Sequence, residues 1–296
     1  MADDRREISV ETVAALVASQ FPQWAYLVVQ PVKRDGWDNH TFHIGETLKA
    51  RLPSASRYVP QVEKEQRLLP GLAPALPLPI PVPVALGKPG HGYDWPWSIY
   101  HWLPGETLAA ERVGDHIRLA EDLAGFLKAL QGADAGSGPL AGGHNFHRGG
   151  DLGVYDGEMR DCVARLGARI DGTAALAVWD GALATRWETA PVWVHGDVAV
   201  GNLLVQDGKL SAVIDFGGLA VGDPSCDLVI AWLFFAGSDR AAFKAAMSLD
   251  EATWDRARGW ALWKALRVAA LGGTPHPDER APLDVAATVI AEFQGR

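Results

Sequence analysis

Apolar residues change their spacing partway along the chain. In ISVETVAALVASQF (8–21) they recur at helical intervals with an acid near the start, which predicts an amphipathic helix. YLVVQPV (26–32), NHTFHIG (39–45) and ETLKARLP (46–53) are short runs joined by turns containing glycine and aspartate, and they predict strands. QVEKEQRLLPGL (61–72) returns to a helical pattern that Pro70 and Gly71 are expected to end. Alternate prolines in LPLPIPVPVALGKPG (76–90) exclude a helix or a central strand there. A stiff connector is preferred over a proline-motif ligand. PWSIYHWLPGE (96–106) is expected to be a strand that stops at Pro104-Gly105. Beyond it the pattern is helical through 106–132, parts of 156–189, 227–236, 239–247 and 251–271, with one strand-like insertion at 191–216. A strand-rich first third and a helix-rich remainder predict an α+β protein of two lobes, residues 1–103 and 104–296, with the boundary near Pro104.

The insertion carries the candidate chemistry. VWVHGDVAVGNLLV (192–205) and VIDFGG (213–218) are apolar runs that each end at an acidic residue beside glycine. Asp207-Gly208 is a strong turn signal, so the chain should fold back and bring Asp215 beside Asn202, with Asp197 at the end of the preceding strand. Ionised carboxylates are costly to bury without a positive partner. Two carboxylates and an amide make a hard oxygen set that suits Mg²⁺, which takes few protein ligands and completes its shell with water and phosphate oxygens. The remaining carboxylate is then free to accept a proton from an attacking hydroxyl.

Composition narrows the field without choosing a ligand. With 48% hydrophobic and 21% charged residues the chain is an ordinary globular protein, and its formal net charge of −9 disfavours nucleic acid. Two cysteines, Cys162 and Cys226, give neither a disulfide framework nor a zinc spacing. The charged start MADDRRE lacks the apolar core of a signal peptide, and the longest apolar stretch, LVIAWLFFA (228–236), is about half a bilayer span. A cytoplasmic protein with no membrane partner is expected.

H-G-D-x-x-x-x-N at 195–202 followed by I-D-F-G at 214–217 resembles the small-molecule branch of the protein-kinase-like fold, most closely the aminoglycoside phosphotransferase family with its macrolide phosphotransferase members. The resemblance spans roughly residues 20 to 236 and implies a two-lobe kinase fold: an N-terminal antiparallel-sheet lobe with one key helix, and a mainly helical catalytic lobe. It implies Asp197 as catalytic base, Asn202 and Asp215 as magnesium ligands, and ATP or GTP as phosphoryl donor. In the first lobe it implies a phosphate-binding cation on the strand TLKARLP. Arg51, before Leu52-Pro53, fits the family pattern better than Lys49, and Glu65 is the expected partner, with Glu63 second. WSIYHWLPGE (97–106) matches the hinge, where the His101 carbonyl and Leu103 N–H would meet the base and Tyr100 would bias its choice. DGWDNHTF (35–42) stands where the loop over the phosphates should be, without a G-x-G-x-x-G. His195 is implied to brace the catalytic loop, and Asp227 to hold its backbone.

The acceptor is read from departures. Ala199 stands where protein kinases usually carry a lysine, and too few residues separate Asp215 from Asp227 for a long activation loop, so a small hydroxyl compound is favoured over a peptide. Six acids in 151–180 suit a cationic acceptor, although acids on amphipathic helices usually face water. Val198 and Val200 make the surroundings less polar, and a Trp-lined cleft would suit a macrolide. Trp254, Trp260 and Trp263 sit at helical spacings and are expected in the core. The rival readings are a catalytically silent nucleotide-binding module and a metal-dependent phosphoesterase. The latter lacks its usual D-x-H and G-N-H arrangements.

Overall fold

In a computed structural model, which describes residues 4–33, 36–136 and 138–295, the first helical pattern becomes α1 (Val10–Gln20), entered where the Ser9 hydroxyl accepts the Thr12 N–H. The strands that follow are β1 (Val29–Pro31), β2 (Asn39–Ile44) and β3 (Leu48–Pro53); then come α2 (Val59–Leu72), β4 (Pro83–Gly87) and β5 (Trp97–His101). They form one antiparallel sheet in the order β1-β2-β3-β5-β4. Central β3 is buried along its whole length. Leu48, Ala50 and Leu52 join Val13, Leu16 and Val17 of α1 in one apolar cluster. Lys49 and Arg51, one residue out of phase, therefore lie on the opposite face. α2 packs against β4 and β5.

Three expectations shift here. β1 is shorter than 26–32 because Pro22 opens a turn over Pro22–Trp24 and the chain reaches the sheet only at Val29. α2 begins two residues early, with Pro60 in its first turn, where a missing N–H costs nothing. It also runs through Pro70, whose fixed φ suits a last helical turn at the loss of one hydrogen bond.

The segment after Pro104 departs further from its expectation. Residues 106–115 are not helical: Glu106–Thr107 forms β6, and the helix, α3 (His116–Gly132), starts only after Asp115 caps it. Next come α4 (Asp156–Leu166), α5 (Gly172–Leu183), β7 (Val192–Val194), β8 (Leu203–Gln206), β9 (Lys209–Val213) and β10 (Ala220–Gly222). β6 pairs with β8 and β8 with β9, while β10 pairs with β7. Edge pairing explains the lost helix, since the Leu108 N–H reaches the Leu203 carbonyl (2.8 Å) and the Gly114 N–H the Gly208 carbonyl (3.0 Å). So 191–216 is not the only strand-forming stretch of this part.

The chain ends in α6 (Ile230–Leu233), α7 (Gly237–Met247), α8 (Glu251–Leu271) and α9 (Pro282–Gln294). The helix expected over 227–236 is instead a 3₁₀ segment, Pro224–Val229, followed by the single turn of α6. α8 packs on α4, α5 and α9 and buries Trp254, Trp260 and Trp263, the core role expected for them. By internal contacts the chain divides into Met1–Pro74 with Pro79–Pro104, and Ala75–Leu78 with Gly105–Arg296. Among the described residues no helix is long and apolar enough to cross a membrane.

Candidate active site

The second unit holds the H-G-D-x-x-x-x-N segment in a web of short-range bonds. β7 ends at Val194, and His195 behind it is fully buried. Its Nε2 donates to the Ile214 carbonyl (3.0 Å) and its Nδ1 accepts the Asp197 N–H (3.2 Å). One tautomer satisfies both bonds, and it leaves neither ring nitrogen to relay a proton. The ring rests edge-on against Phe216, 4.6 Å between centroids. Asp227, buried in the 3₁₀ segment, accepts the His195 N–H (2.7 Å) on one carboxylate oxygen and the Gly196 N–H (2.8 Å) on the other. Burial pushes the Asp227 carboxyl above its ordinary range, opposed by His195 and the two backbone N–H groups.

Asn202 closes the turn that Asp197 opens. Its Nδ2 donates to the Asp197 carbonyl (2.9 Å) and to the Asp197 carboxylate Oδ2 (3.1 Å). The Asn202 carbonyl accepts the Ile214 N–H (2.8 Å), continuing the β8–β9 register, in which Leu203 faces Val213. Asp215 is therefore one residue beyond the partner of Asn202. The hairpin that achieves this turns at Asp207-Gly208, both with positive φ (52° and 77°), as a two-residue hairpin turn demands. Asp215 itself has left-handed backbone (φ 65°, ψ 69°), which an aspartate tolerates better than most residues, and it starts the turn Phe216–Gly218. Asp197, Asn202 and Asp215 are all partly exposed, whereas Val198, Val200, Leu203 and Phe216 beside them are buried. Val198 and Val200 thus face the core and say nothing about the acceptor.

Glycine is obligatory where the two motifs touch. A Cβ on Gly196 (φ 82°) would stand 2.5 Å from the Gly218 carbonyl oxygen, and one on Gly218 would stand 2.9 Å from the His195 oxygen.

The first unit supplies a charged cluster beneath α2. Arg51 Nη1 reaches both oxygens of Glu65 at 3.2 Å. The Tyr100 hydroxyl donates to Glu65 Oε2. Burial and the Glu65 carboxylate hold that hydroxyl well above the ordinary tyrosine range, so it remains a donor. Lys49, directly opposite Tyr100 in the sheet, places its Nζ 5.7 Å from the Trp102 ring centroid. Glu63 is exposed, whereas α2 turns Glu65 inward. His101, the exposed last residue of β5, faces Leu48. Because the Trp102 N–H bonds to the Thr47 carbonyl (2.8 Å), ladder alternation turns the His101 N–H and C=O away from β3. Leu103 follows the strand, half-buried. In the segment 35–42, Asp35 lies outside the described residues. Gln61 of α2 donates to Asp38 (3.0 Å) and the Ser54 hydroxyl to the Trp37 carbonyl (2.8 Å).

The donor set fits a magnesium ion. With both Nδ2 bonds of Asn202 spent on Asp197, its Oδ1 is left as the acceptor atom, adjoining a carboxylate on either side in sequence order. Among the described residues no three His, Cys, Asp or Glu side chains cluster as a metal site. Most acids of 151–180 are committed elsewhere. Asp151 and Asp171 cap helical turns, Asp156 and Asp180 hold Arg160, and Glu158 pairs with Arg267.

The model of a family described as the phosphotransferase enzyme family matches residues 29–260. Among solved structures, the GDP complex of a mutant aminoglycoside 2′-phosphotransferase-IIIa superposes with a TM-score of 0.71 at 18% identity, over 97% of each chain. The GDP and kanamycin complex of APH(2″)-IIIa gives 0.70 at 18% identity, over 96% of this chain and 97% of that one. Macrolide 2′-phosphotransferase MphH from Brachybacterium faecium gives 0.56 at 23% identity, over 96% and 89%. No curated protein matches the chain significantly.

Proposed function

The chain belongs to the phosphotransferase enzyme family, and on that premise we propose that it transfers the γ-phosphoryl group of ATP or GTP to a hydroxyl of a small molecule of the aminoglycoside or macrolide kind. The observation that carries this reading is the Asn202 amide bonded to Asp197 at both backbone and carboxylate, with the Asn202 carbonyl accepting the N–H of Ile214, the residue before Asp215. Similar structures are complexes with GDP and with kanamycin, which supports a purine nucleotide as donor and an aminoglycoside-like acceptor.

Asp197 accepts the proton of the acceptor hydroxyl as its oxygen attacks the γ-phosphorus. A new O–P bond forms, the bond to the β–γ bridging oxygen breaks, and the nucleoside diphosphate leaves with that electron pair. The Asn202 bond to Oδ2 orients the carboxylate so that its other oxygen meets the acceptor. Asn202 Oδ1 and Asp215 would hold Mg²⁺, which would neutralise the triphosphate charge. Arg51, set by Glu65 and Tyr100, steadies the phosphates, while Lys49 rests by Trp102. His101 and Leu103 offer backbone groups to the base. His195 and Asp227 hold the loop and take no proton. Catalysis of this sort is positioning and charge stabilisation.

Incubating the pure protein with ATP or GTP, Mg²⁺ and a panel of aminoglycosides, macrolides and amino alcohols should add the mass of one phosphoryl group to at least one acceptor. Thermal stabilisation by Mg–nucleotide without any product across the panel would replace this reading with a silent nucleotide-binding module.

A further inference from the structure

Between α3 and α4 the chain makes a glycine-rich loop, AGGHNFHRGG (141–150), that no motif singles out. At its centre Asn145 is completely buried, and its amide serves three backbone points. Oδ1 accepts the Gly142 N–H (2.9 Å), and Nδ2 donates to the Arg148 carbonyl (2.7 Å) and to the Gly218 carbonyl (3.1 Å). The first two bonds fold the loop on itself. The third leaves the loop and spans 73 positions of sequence to the turn that Asp215 begins.

The loop is a rigid mount for that third bond. Phe146 and His147 both lie in the left-handed region (φ 56° and 55°), sparsely used by non-glycine residues. Such backbone persists only where its surroundings over-determine it. Here the Tyr155 hydroxyl holds the Phe146 carbonyl (2.6 Å), and the Asp223 N–H holds the Gly149 carbonyl (2.8 Å). On the far side of the contact, the Gly218 carbonyl lies against Gly196 so closely that no Cβ fits there. Gly196 is the residue before Asp197. One carbonyl group thus touches the catalytic loop on one side and accepts from Asn145 on the other.

From this we infer that Asn145 is a positioning residue for phosphoryl transfer: its amide fixes the Gly218 carbonyl and, through it, the placement of the Asp215 turn against the loop carrying Asp197. The inference rests on the proposed function. Outer partners of metal ligands act in this manner, by orienting groups they do not touch in the reaction.

Asn145→Asp tests it, because the shape is kept while the two donated bonds become contacts between acceptors. Calorimetric titration with nucleotide in the presence of Mg²⁺ should show affinity lowered roughly 10-fold. Where an acceptor is known, kcat should fall about 10- to 100-fold with the acceptor KM unchanged. Tyr155→Phe loosens the same loop without touching Gly218, and it should keep the wild-type Mg²⁺-dependent affinity. If Asn145→Asp does not fold, as judged by its thermal unfolding, Asn145→Ala removes the same two donated bonds without adding a charge and should show the same loss. A folded Asn145→Asp protein with wild-type affinity and kcat overturns the inference, as does an equal loss in Tyr155→Phe. Wild-type protein that binds no Mg–nucleotide overturns the proposed function itself, a separate result visible before any variant is made.

Discussion

His195 and Asp197 sit two residues apart and are held in opposite ways. Both nitrogens of the buried His195 are engaged, whereas Asp197 is partly exposed with one carboxylate oxygen held by Asn202. Asp197→Ala should therefore lower kcat by about 10²- to 10⁴-fold while leaving nucleotide affinity, read by calorimetry, near the wild-type value. An active Asp197→Ala protein would remove Asp197 from the role of base. The cation of the first unit is a matter of placement: Arg51 is bonded to Glu65, and the Lys49 Nζ lies 5.7 Å from the Trp102 ring centroid. Arg51→Ala strands a buried carboxylate, and it should lower stability by about 3 kcal/mol and raise the nucleotide KM. Lys49→Ala should leave that KM close to wild type, with assays run well below each variant's Tm. Equal KM effects would undo the assignment.

Asp227 brings a pH dependence. An unfolded aspartate titrates near ~3.9, and burial raises the folded value. The folded state thus binds this proton more tightly, so the contribution of Asp227 to stability is full below the unfolded value and is lost as pH rises through the folded one. Asp227→Asn keeps one acceptor for two N–H donors and should cost about 1–3 kcal/mol at neutral pH. It should also flatten the corresponding fall in a stability-versus-pH profile measured by denaturant unfolding. An unchanged profile would contradict burial as the cause. The bonded turn of His195, Asp197 and Asn202 was legible in sequence because its spacing is local, whereas the Asp227 contact to His195 and Gly196 was expected only from the family resemblance. Asn145 and the Tyr100–Glu65 bond were not legible, since a lone amide in a glycine-rich loop and a strand tyrosine carry no periodic signal.

At the level of elements, local pattern failed where tertiary pairing decided. Residues 106–115 have helical spacing, yet β6 completes the edge of the β8–β9 hairpin and delays α3 to His116. The run 227–236 is likewise expected to be helical, yet Pro224 with its Asp223 cap starts a 3₁₀ segment that extends into it. By contrast, Asp207-Gly208 announced its hairpin, and α8 appeared over the residues its pattern marked. The contact between the two motif-bearing turns makes its own prediction. Gly196→Ala meets both a positive φ and the Gly218 carbonyl, so it should cost about 1–3 kcal/mol in thermal unfolding and abolish activity. A Gly196→Ala protein with wild-type Tm would mean that the turns are not packed as described.

For the molecule as a whole, fold class was the most legible property, because strands and helices segregate along the chain and one family model spans 29–260. The acceptor was the least legible. The acids of 151–180 that might have advertised a cationic ligand are largely spent on capping and on arginines within the unit. What the account depends on is that Asp197, Asn202 and Asp215 act as one magnesium-dependent centre. The direct measurement is calorimetric titration of ATP or GTP into wild-type and Asp215→Ala protein, each with and without Mg²⁺. Binding by the wild type that requires Mg²⁺ and disappears in Asp215→Ala is the expected result; metal-independent binding that survives the substitution would contradict it.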